Sequence, residues 1–213
     1  MIETANILDI EKFVEKFSAV IFDLDDTLYP ETDYVKSGYR QIEKICPEIP
    51  NMYSKLWNAF FHEKKPINYV LENENLYTEE RLQACIKAYR EQRPDIHLYA
   101  GVSDMILRLK SKGYRLGIIT DGRPEGQHSK IEALGLKEYF EKIIITDELG
   151  GIQYRKPNPT AFKEMRQALG VEYFEMVYIG DNIEKDLIAP EKLGMGTIFF
   201  NNNDGLYKRD IRK

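Results

Sequence analysis

Six polar residues that could carry out chemistry lie at or just beyond the ends of short apolar segments of the chain. They are Asp23, Asp25, Thr120, Lys156, Asp181 and Asp186. Carboxylates held close together repel one another and favour a hard cation, and Mg²⁺ prefers oxygen ligands and shares its sites with phosphate oxygens. A lysine among these acids is expected to neutralise a second, anionic ligand. Carboxylates, Mg²⁺, one lysine and one threonine hydroxyl together indicate a phosphoryl-transfer site, and the chain contains no Walker-type phosphate loop.

The elements that must bring these residues together are five short runs rich in β-branched residues. They lie at residues 19–24, 115–120, 143–146, 176–180 and 196–200. Such runs are typical of parallel strands buried on both faces. Between them, apolar residues at helical spacing precede Gly113, Gly135 and Gly170, and glycine is favoured where a helix ends. This alternation predicts an α/β fold, a Rossmann-like doubly wound parallel sheet that binds ligands at the carboxyl ends of its strands.

One stretch interrupts the alternation of strand and helix. Residues 31–97 contain no strand-like run but three or four helical patterns, which prolines such as Pro47 and Pro66 interrupt. We therefore predict a helical subdomain at 31–97, inserted after the first strand, and an α/β core domain at 1–30 and 98–213. The length of 213 residues agrees with one domain and a smaller companion at about 150 residues per domain. From Asn201 onward, we predict a loop followed by a charged terminus.

Composition limits the partners and the compartment. The chain has 35 acidic and 30 basic residues, a net charge of −5, whereas nucleic-acid and membrane-surface binders need a basic surface. The chain contains no apolar run of about 18 residues, so we predict no transmembrane helix. The N-terminus lacks the features of a signal peptide. Cys46 and Cys85 are too few for a disulfide framework and lack zinc-site spacing, so we predict buried, reduced thiols. We expect a cytoplasmic protein without nucleic-acid or membrane partners.

The order of the polar segments resembles four motifs of one enzyme superfamily. The segments are Asp23-Leu-Asp-Asp-Thr-Leu, Thr120-Asp-Gly, Lys156-Pro-Asn-Pro-Thr-Ala-Phe and Gly180-Asp-Asn-x-x-x-Asp186. In this order they are similar to the motifs of the haloacid dehalogenase-like hydrolases. The insertion between the first and second motifs is similar to the helical cap of the phosphoglycolate phosphatase and phosphoglucomutase relatives. The resemblance covers nearly the whole chain, apart from the details of the insertion.

This resemblance implies a Mg²⁺-dependent phosphatase that hydrolyses a small phosphorylated metabolite. Asp23 would be the nucleophile and would form an aspartyl-phosphate. Asp25, two residues further along an extended backbone and so on the same side, would protonate the leaving alcohol and later deprotonate the water. Asp23, the backbone carbonyl of Asp25 and Asp181 would bind Mg²⁺, with Asp186 as a direct or water-mediated partner.

The resemblance also implies where the substrate binds. Thr120, the neighbouring backbone amides and Lys156 would contact the phosphoryl oxygens, and the helical cap would open and close over the site. Arg123 and Arg155 are candidates for binding a second anionic group of the substrate. The predicted substrate-binding residues are Thr120, Asp121, Gly122, Arg123 and Lys156.

Three alternative functions stay open from the sequence. A phosphomutase would share every core motif and differ in how the cap places a second hydroxyl group. A haloacid dehalogenase uses an aspartate to attack carbon without a metal, but it typically lacks the second aspartate of the first motif, which is Asp25 here. A catalytically silent phosphometabolite-binding protein would usually have lost the nucleophile or the metal-binding acids, none of which is missing.

Overall fold

The chain folds into two compact units. The computed structural model describes residues 1–206; residues 207–213, and with them most of the predicted charged terminus, lie outside that part. One unit consists of Met1–Glu31 together with the chain from His97 onward, and the other is Thr32–Ile96. The first unit contains the sheet and all the residues predicted to do chemistry.

The first unit is built on a parallel β-sheet. Its strands within the described residues are β1 (Ile2–Thr4), β2 (Ala19–Phe22), β3 (Arg115–Thr120), β4 (Lys142–Ile145), β5 (Met176–Gly180) and β6 (Gly196–Phe200). They form one sheet in the order β1-β6-β5-β2-β3-β4, with every neighbouring pair parallel. The predicted parallel α/β fold is confirmed. The five predicted runs correspond to β2 to β6, and the short edge strand β1 was not predicted.

Helices follow most of the strands and also make up the second unit. They are α1 (Glu31–Ile45), α2 (Met52–Phe60), α3 (Pro66–Asn73), α4 (Glu79–Arg90), α5 (Val102–Ser111), α6 (Pro124–Ala133), α7 (Thr160–Leu169) and α8 (Ile188–Leu193). Helix α7 shows how apolar spacing positions the site. Phe162, Met165 and Leu169 are fully buried, three or four residues apart, and Gly170 ends the helix at a φ of 60°. The Phe162 ring contacts Tyr178 of β5 edge-on, with ring centroids 5.1 Å apart, and so packs α7 against a residue of the site.

Strand register places the ends of three strands beside one another. Strand β2 lies between β3 and β5, and its last residue, Phe22, pairs with Ile118 and Ile179. All four residues of β2 are buried, as expected for a central strand covered on both faces. The residues that follow β2, β3 and β5 therefore emerge at the same edge of the sheet.

The second unit, Thr32–Ile96, contains helices and no strand among its residues, all of which the structure describes. Helices α1 to α4 share an apolar cluster that includes Tyr39 and Leu56, and Trp57 and Phe60 pack against it. Cys46 and Cys85 belong to this cluster; both are buried and free, with their Sγ atoms 3.6 Å apart. The predicted burial of both thiols is confirmed, and their reduced state stays a prediction. No helix in residues 1–206 is long and apolar enough to cross a membrane.

Candidate active site

The site is assembled at the carboxyl ends of β2, β3 and β5. Asp23 directly follows β2, Thr120 is the last residue of β3, and Asp181 directly follows β5. The Asp23 backbone amide donates a hydrogen bond of 2.8 Å to the carbonyl of Ile179, which extends the pairing with β5 by one residue. Asp23 is therefore held as rigidly as the sheet itself, in the crevice where open α/β sheets bind ligands.

Three carboxylates converge at this edge. Asp23, Asp181 and Asp186 each offer an oxygen atom, these atoms lie within 4.8 Å of one another, and all three residues are buried. Asp186 reaches the group from a π-helical turn, Ile183–Leu187, which follows β5. Its close approach depends on Gly180, because a Cβ atom there would lie 2.5 Å from the Asp186 carboxyl carbon. The glycine of the fourth motif therefore makes room for the last acid of the same motif.

Lys156 links two of these carboxylates. Its Nζ atom donates hydrogen bonds of 2.6 Å to Asp23 Oδ1 and 2.6 Å to Asp186 Oδ1, and one of 3.0 Å to the Tyr178 hydroxyl. The Tyr178 hydroxyl in turn donates to the carbonyl of Ile119. Burial alone would lower the pKa of Lys156, but the Asp186 and Asp23 carboxylates hold it well above its ordinary value. Lys156 is therefore a permanent positive charge inside the site.

One lysine does not neutralise three carboxylates. Burial, and then the nearby charges of Asp23 and Asp186, raise the pKa of Asp181 to about 9. Burial likewise raises the pKa of Asp23 well above its ordinary value, Lys156 opposes this shift, and Asp186 adds to it. These shifts reflect burial first, and then the crowding of carboxylates that one ammonium group does not balance. Such a site fits Mg²⁺, which takes oxygen ligands and would restore the ionised form of the acids.

Asp25 lies in a different environment from Asp23. Its Oδ1 atom accepts a hydrogen bond of 2.7 Å from Lys130 Nζ and another from the Tyr29 hydroxyl, and its Oδ2 atom accepts one of 3.0 Å from Gln127 Nε2. Burial alone would raise the pKa of Asp25, but Lys130, the Tyr29 hydroxyl and Gln127 together hold it below its ordinary value. Two acids of one motif are thus paired with two different lysines.

Gln127 and Lys130 were not predicted from the sequence. Both lie on α6, which begins directly after the second motif, and both are buried. A lysine and a glutamine on a helix usually mark its solvent-exposed face. The available signal was their spacing: residues 130 and 131 lie three and four positions after residue 127, and Ile131 is apolar, which puts Lys130 and Ile131 on the same side of the helix as Gln127. That face turns toward the site.

The second and third motifs contact each other through Asp121. Its Oδ1 atom accepts hydrogen bonds from the Thr146 hydroxyl, at 2.8 Å, and from the backbone amide of Lys156, at 3.0 Å. The Asp121 side chain therefore positions the loop that carries the buried lysine. The neighbouring Gly122 has a φ of 140°, a conformation that side chains rarely adopt.

The two arginines beside the motifs lie in different settings. Arg123 is exposed and immediately precedes α6. Arg155 donates two hydrogen bonds of 2.7 Å to the two carboxylate oxygens of Asp147. This ion pair holds the pKa of Asp147 below its ordinary value. Arg123 is therefore accessible to a second anionic group of a ligand, whereas Arg155 is already paired with a carboxylate.

Known proteins resemble this chain in sequence and in fold. Residues 20–200 match the family model described as haloacid dehalogenase-like hydrolase. The glyceraldehyde 3-phosphate phosphatase of Pyrococcus abyssi is 30% identical over 196 residues, which cover 85% of this chain and 80% of that protein. The pyrophosphatase PpaX of Bacillus cereus is 24% identical over 187 residues, covering 85% and 82%. Among solved structures, the HAD hydrolase YfnB of Bacillus subtilis, bound to magnesium, superposes with a TM-score of 0.64 at 20% identity and covers 87% of both chains.

Proposed function

Since the chain belongs to the haloacid dehalogenase-like hydrolase family, we propose that it is a phosphatase that hydrolyses a small phosphorylated metabolite. The observation that carries this proposal is the Asp23 carboxylate at the end of a central strand. It lies 2.6 Å from the buried Lys156 ammonium and beside two further carboxylates. The activities named for the Pyrococcus and Bacillus relatives, both of which release phosphate, support the same reaction class.

Mg²⁺ is the proposed cofactor. Asp23 and Asp181 would bind the ion directly, together with the backbone carbonyl of Asp25, and Asp186 would bind it directly or through a water. The all-oxygen donor set and its excess negative charge support this assignment. When bound, Mg²⁺ screens the repulsion between an anionic nucleophile and an anionic phosphoryl group.

The proposed chemistry uses Asp23 and Asp25 in turn. A carboxylate oxygen of Asp23 forms a bond to phosphorus while the bond from phosphorus to the ester oxygen breaks, which leaves an aspartyl-phosphate. The lowered pKa of Asp25 leaves it ionised in the free enzyme, so the proton that it passes to the departing alcohol arrives with the monoanionic phosphate ester. Asp25 then takes a proton from the water that hydrolyses the aspartyl-phosphate. Lys156 keeps the Asp23 carboxylate oriented, since it donates directly to Oδ1.

The phosphoryl oxygens would be bound by Thr120, by the amides of Asp121 and Gly122 and by Lys156. Hydrogen-bond donors placed in this way are typically worth a few kcal/mol each in the transition state. We expect the backbone of Asp121 rather than its side chain to contact the ligand, because its carboxylate is bonded to Thr146 and to the Lys156 amide. Arg123, which is exposed, is the proposed contact for a second anionic group.

The helical unit is the proposed cap. We assign residues 31–97 this role because they are inserted between the first two motifs, and a cap that closes would exclude bulk water during the reaction. Glyceraldehyde 3-phosphate is the first substrate to test, since it is named for the Pyrococcus relative, and pyrophosphate is the second. The cytoplasmic location stays a prediction.

The deciding experiment measures phosphate release with Mg²⁺ from these two compounds, from 4-nitrophenyl phosphate and from a panel of phosphorylated metabolites. Wild type should be active, Asp23→Asn should lose at least about 1,000-fold in kcat while keeping its fold, and Asp104→Asn, an exposed acid, should match wild type. Chelation should stop turnover and added Mg²⁺ should restore it. Undiminished activity of Asp23→Asn, or full activity without a divalent cation, would refute the proposal.

A further inference from the structure

The Asp25 carboxylate is held through both of its oxygen atoms. Lys130 and the Tyr29 hydroxyl donate to Oδ1, and Gln127 donates to Oδ2. The Lys130 side chain is 7% exposed and that of Asp25 is 16% exposed, so water competes little with these bonds. The carboxylate cannot rotate or withdraw without breaking at least one of them.

Gln127 also contacts the neighbouring strand end. The same Nε2 atom that donates to Asp25 Oδ2 donates to the hydroxyl oxygen of Thr120. One amide group therefore spans the residues that follow β2 and end β3. Gln127 and Lys130 lie three residues apart on α6, a spacing that puts both side chains on one face of the helix. Helix α6 thus determines the position of Asp25 relative to Thr120.

Stability alone does not explain this arrangement. Burying a lysine and a carboxylate costs desolvation energy that their attraction often fails to recover, and apolar residues of similar volume are often at least as stabilising. Gln127 uses both N–H bonds of its Nε2 atom on acceptors at two different strand ends, which fixes their relative position and adds little to packing. Gln127 and Lys130 are better explained by a need to fix the position of the Asp25 carboxylate.

We propose that Gln127 and Lys130 are positioning residues that hold the Asp25 carboxylate in place, relative to Thr120, for proton transfer to and from the reacting oxygens. This inference rests on the proposed phosphatase function. It assigns no contact with substrate to either residue, since both act through Asp25. A misplacement of about 1 Å in a reacting group can cost about 100-fold in rate.

The inference predicts a dependence on the leaving group. An alkyl phosphate such as glycerol 3-phosphate must receive a proton as its alcohol departs, whereas 4-nitrophenolate leaves without one. Lys130→Met should therefore lower kcat/KM, which reports the step in which the leaving group departs, by about 100-fold on glycerol 3-phosphate and by less than about tenfold on 4-nitrophenyl phosphate. A purely structural loss would lower both rates by the same factor.

The experiment is a double-mutant cycle with Asp25→Asn, followed on both substrates. If Lys130 acts through Asp25, Lys130→Met should cost less than about twofold once Asp25→Asn is present. Lys130→Arg should keep most of the wild-type rate, and Gln127→Leu should show the same selective loss on the alkyl phosphate. Lys137→Met, at an exposed lysine just beyond α6, is the matched control.

Thermal melts of every variant separate folding from chemistry. If Lys130→Met does not fold, Gln127→Leu and Lys130→Arg decide the question on the same two substrates. Equal losses of kcat/KM on both substrates, or an undiminished cost of Lys130→Met beside Asp25→Asn, would overturn the inference and leave the phosphatase proposal intact. Absence of phosphate release from every substrate by wild type would instead overturn the proposed function, and the inference with it.

Discussion

Mg²⁺ binding to the three converging acids should be strongly coupled to pH. The pKa of Asp181 is raised to about 9 in the metal-free protein, by burial and by the charges of Asp23 and Asp186. At neutral pH this carboxyl therefore carries a proton. A metal ligand must be deprotonated, so Mg²⁺ binding must release that proton.

The size and sign of the effect follow from that pKa. Below about pH 9, each unit of pH should change the apparent Mg²⁺ affinity by about tenfold, or about 1.4 kcal/mol, so binding should tighten about 100-fold from pH 6.5 to 8.5. A carboxyl whose pKa is raised on folding binds its proton more tightly in the folded state. The metal-free protein should therefore lose stability as the pH rises toward 9, and Mg²⁺ should offset that loss.

Titration calorimetry in two buffers of different ionisation enthalpy measures both the affinity and the protons released. Near pH 7 we expect about one proton per Mg²⁺ from Asp181, with a further fraction from Asp23, whose pKa is also raised. Asp181→Asn should bind weakly and with a smaller pH dependence, whereas Glu184→Gln, at an exposed acid in the turn after β5, should behave as wild type. An affinity that stays within about twofold from pH 6.5 to 8.5, with no proton release, would refute this account of the site's electrostatics.

Three further predictions concern the supports of the site and of the helical unit. Gly180→Ala would place a Cβ atom 2.5 Å from the Asp186 carboxyl carbon, so it should destabilise by about 1–3 kcal/mol in urea titrations and should weaken Mg²⁺ binding. Asp121→Ala removes the acceptor for the Thr146 hydroxyl and for the backbone amide of Lys156. We expect kcat to fall at least about tenfold, while the melting temperature falls only a few degrees. An unchanged kcat would contradict the positioning role of Asp121. Cys46 and Cys85 are buried, and burial raises the pKa of both thiols, so an aromatic disulfide reagent should label them only as fast as the helical unit opens; rapid labelling of the native protein would contradict this.

Most of the fold was predictable because its strands are buried on both faces. Residues 19–22 and 176–180 are apolar at nearly every position, which distinguishes them from the amphipathic helices between them. Strand β1 was missed because three residues at the edge of a sheet carry too little pattern. Periodicity also could not predict the order of the strands in the sheet, because that order depends on pairing between strands that are far apart in the chain.

The site was predictable to the extent that strand ends determine it. Asp23 and Asp181 directly follow central strands, so parallel register brings them together without any further information. Gln127 and Lys130 were missed, since their spacing shows that they share one side of a helix with Ile131 but not that their polar ends are buried. Tyr178 was missed for the opposite reason: an aromatic residue inside a buried strand resembles core, and only its hydroxyl, bonded to Lys156, connects it to the site.

Lys156 and Lys130 explain why the pKa values of Asp23 and Asp25, two residues apart in one motif, are shifted in opposite directions. Burial raises the pKa of Asp23, and Lys156 offsets this only in part because its one ammonium group is shared with Asp186. Lys130 is the close ammonium partner of Asp25, which also accepts two hydrogen bonds from neutral donors. These contacts lower the pKa of Asp25 against the effect of burial. The shortage of positive charge therefore falls on the Asp23 side. We therefore expect a divalent cation on that side, where the proposed nucleophile would meet a phosphoryl group, while Asp25, ionised beside its own ammonium partner, would take the proton from the hydrolytic water.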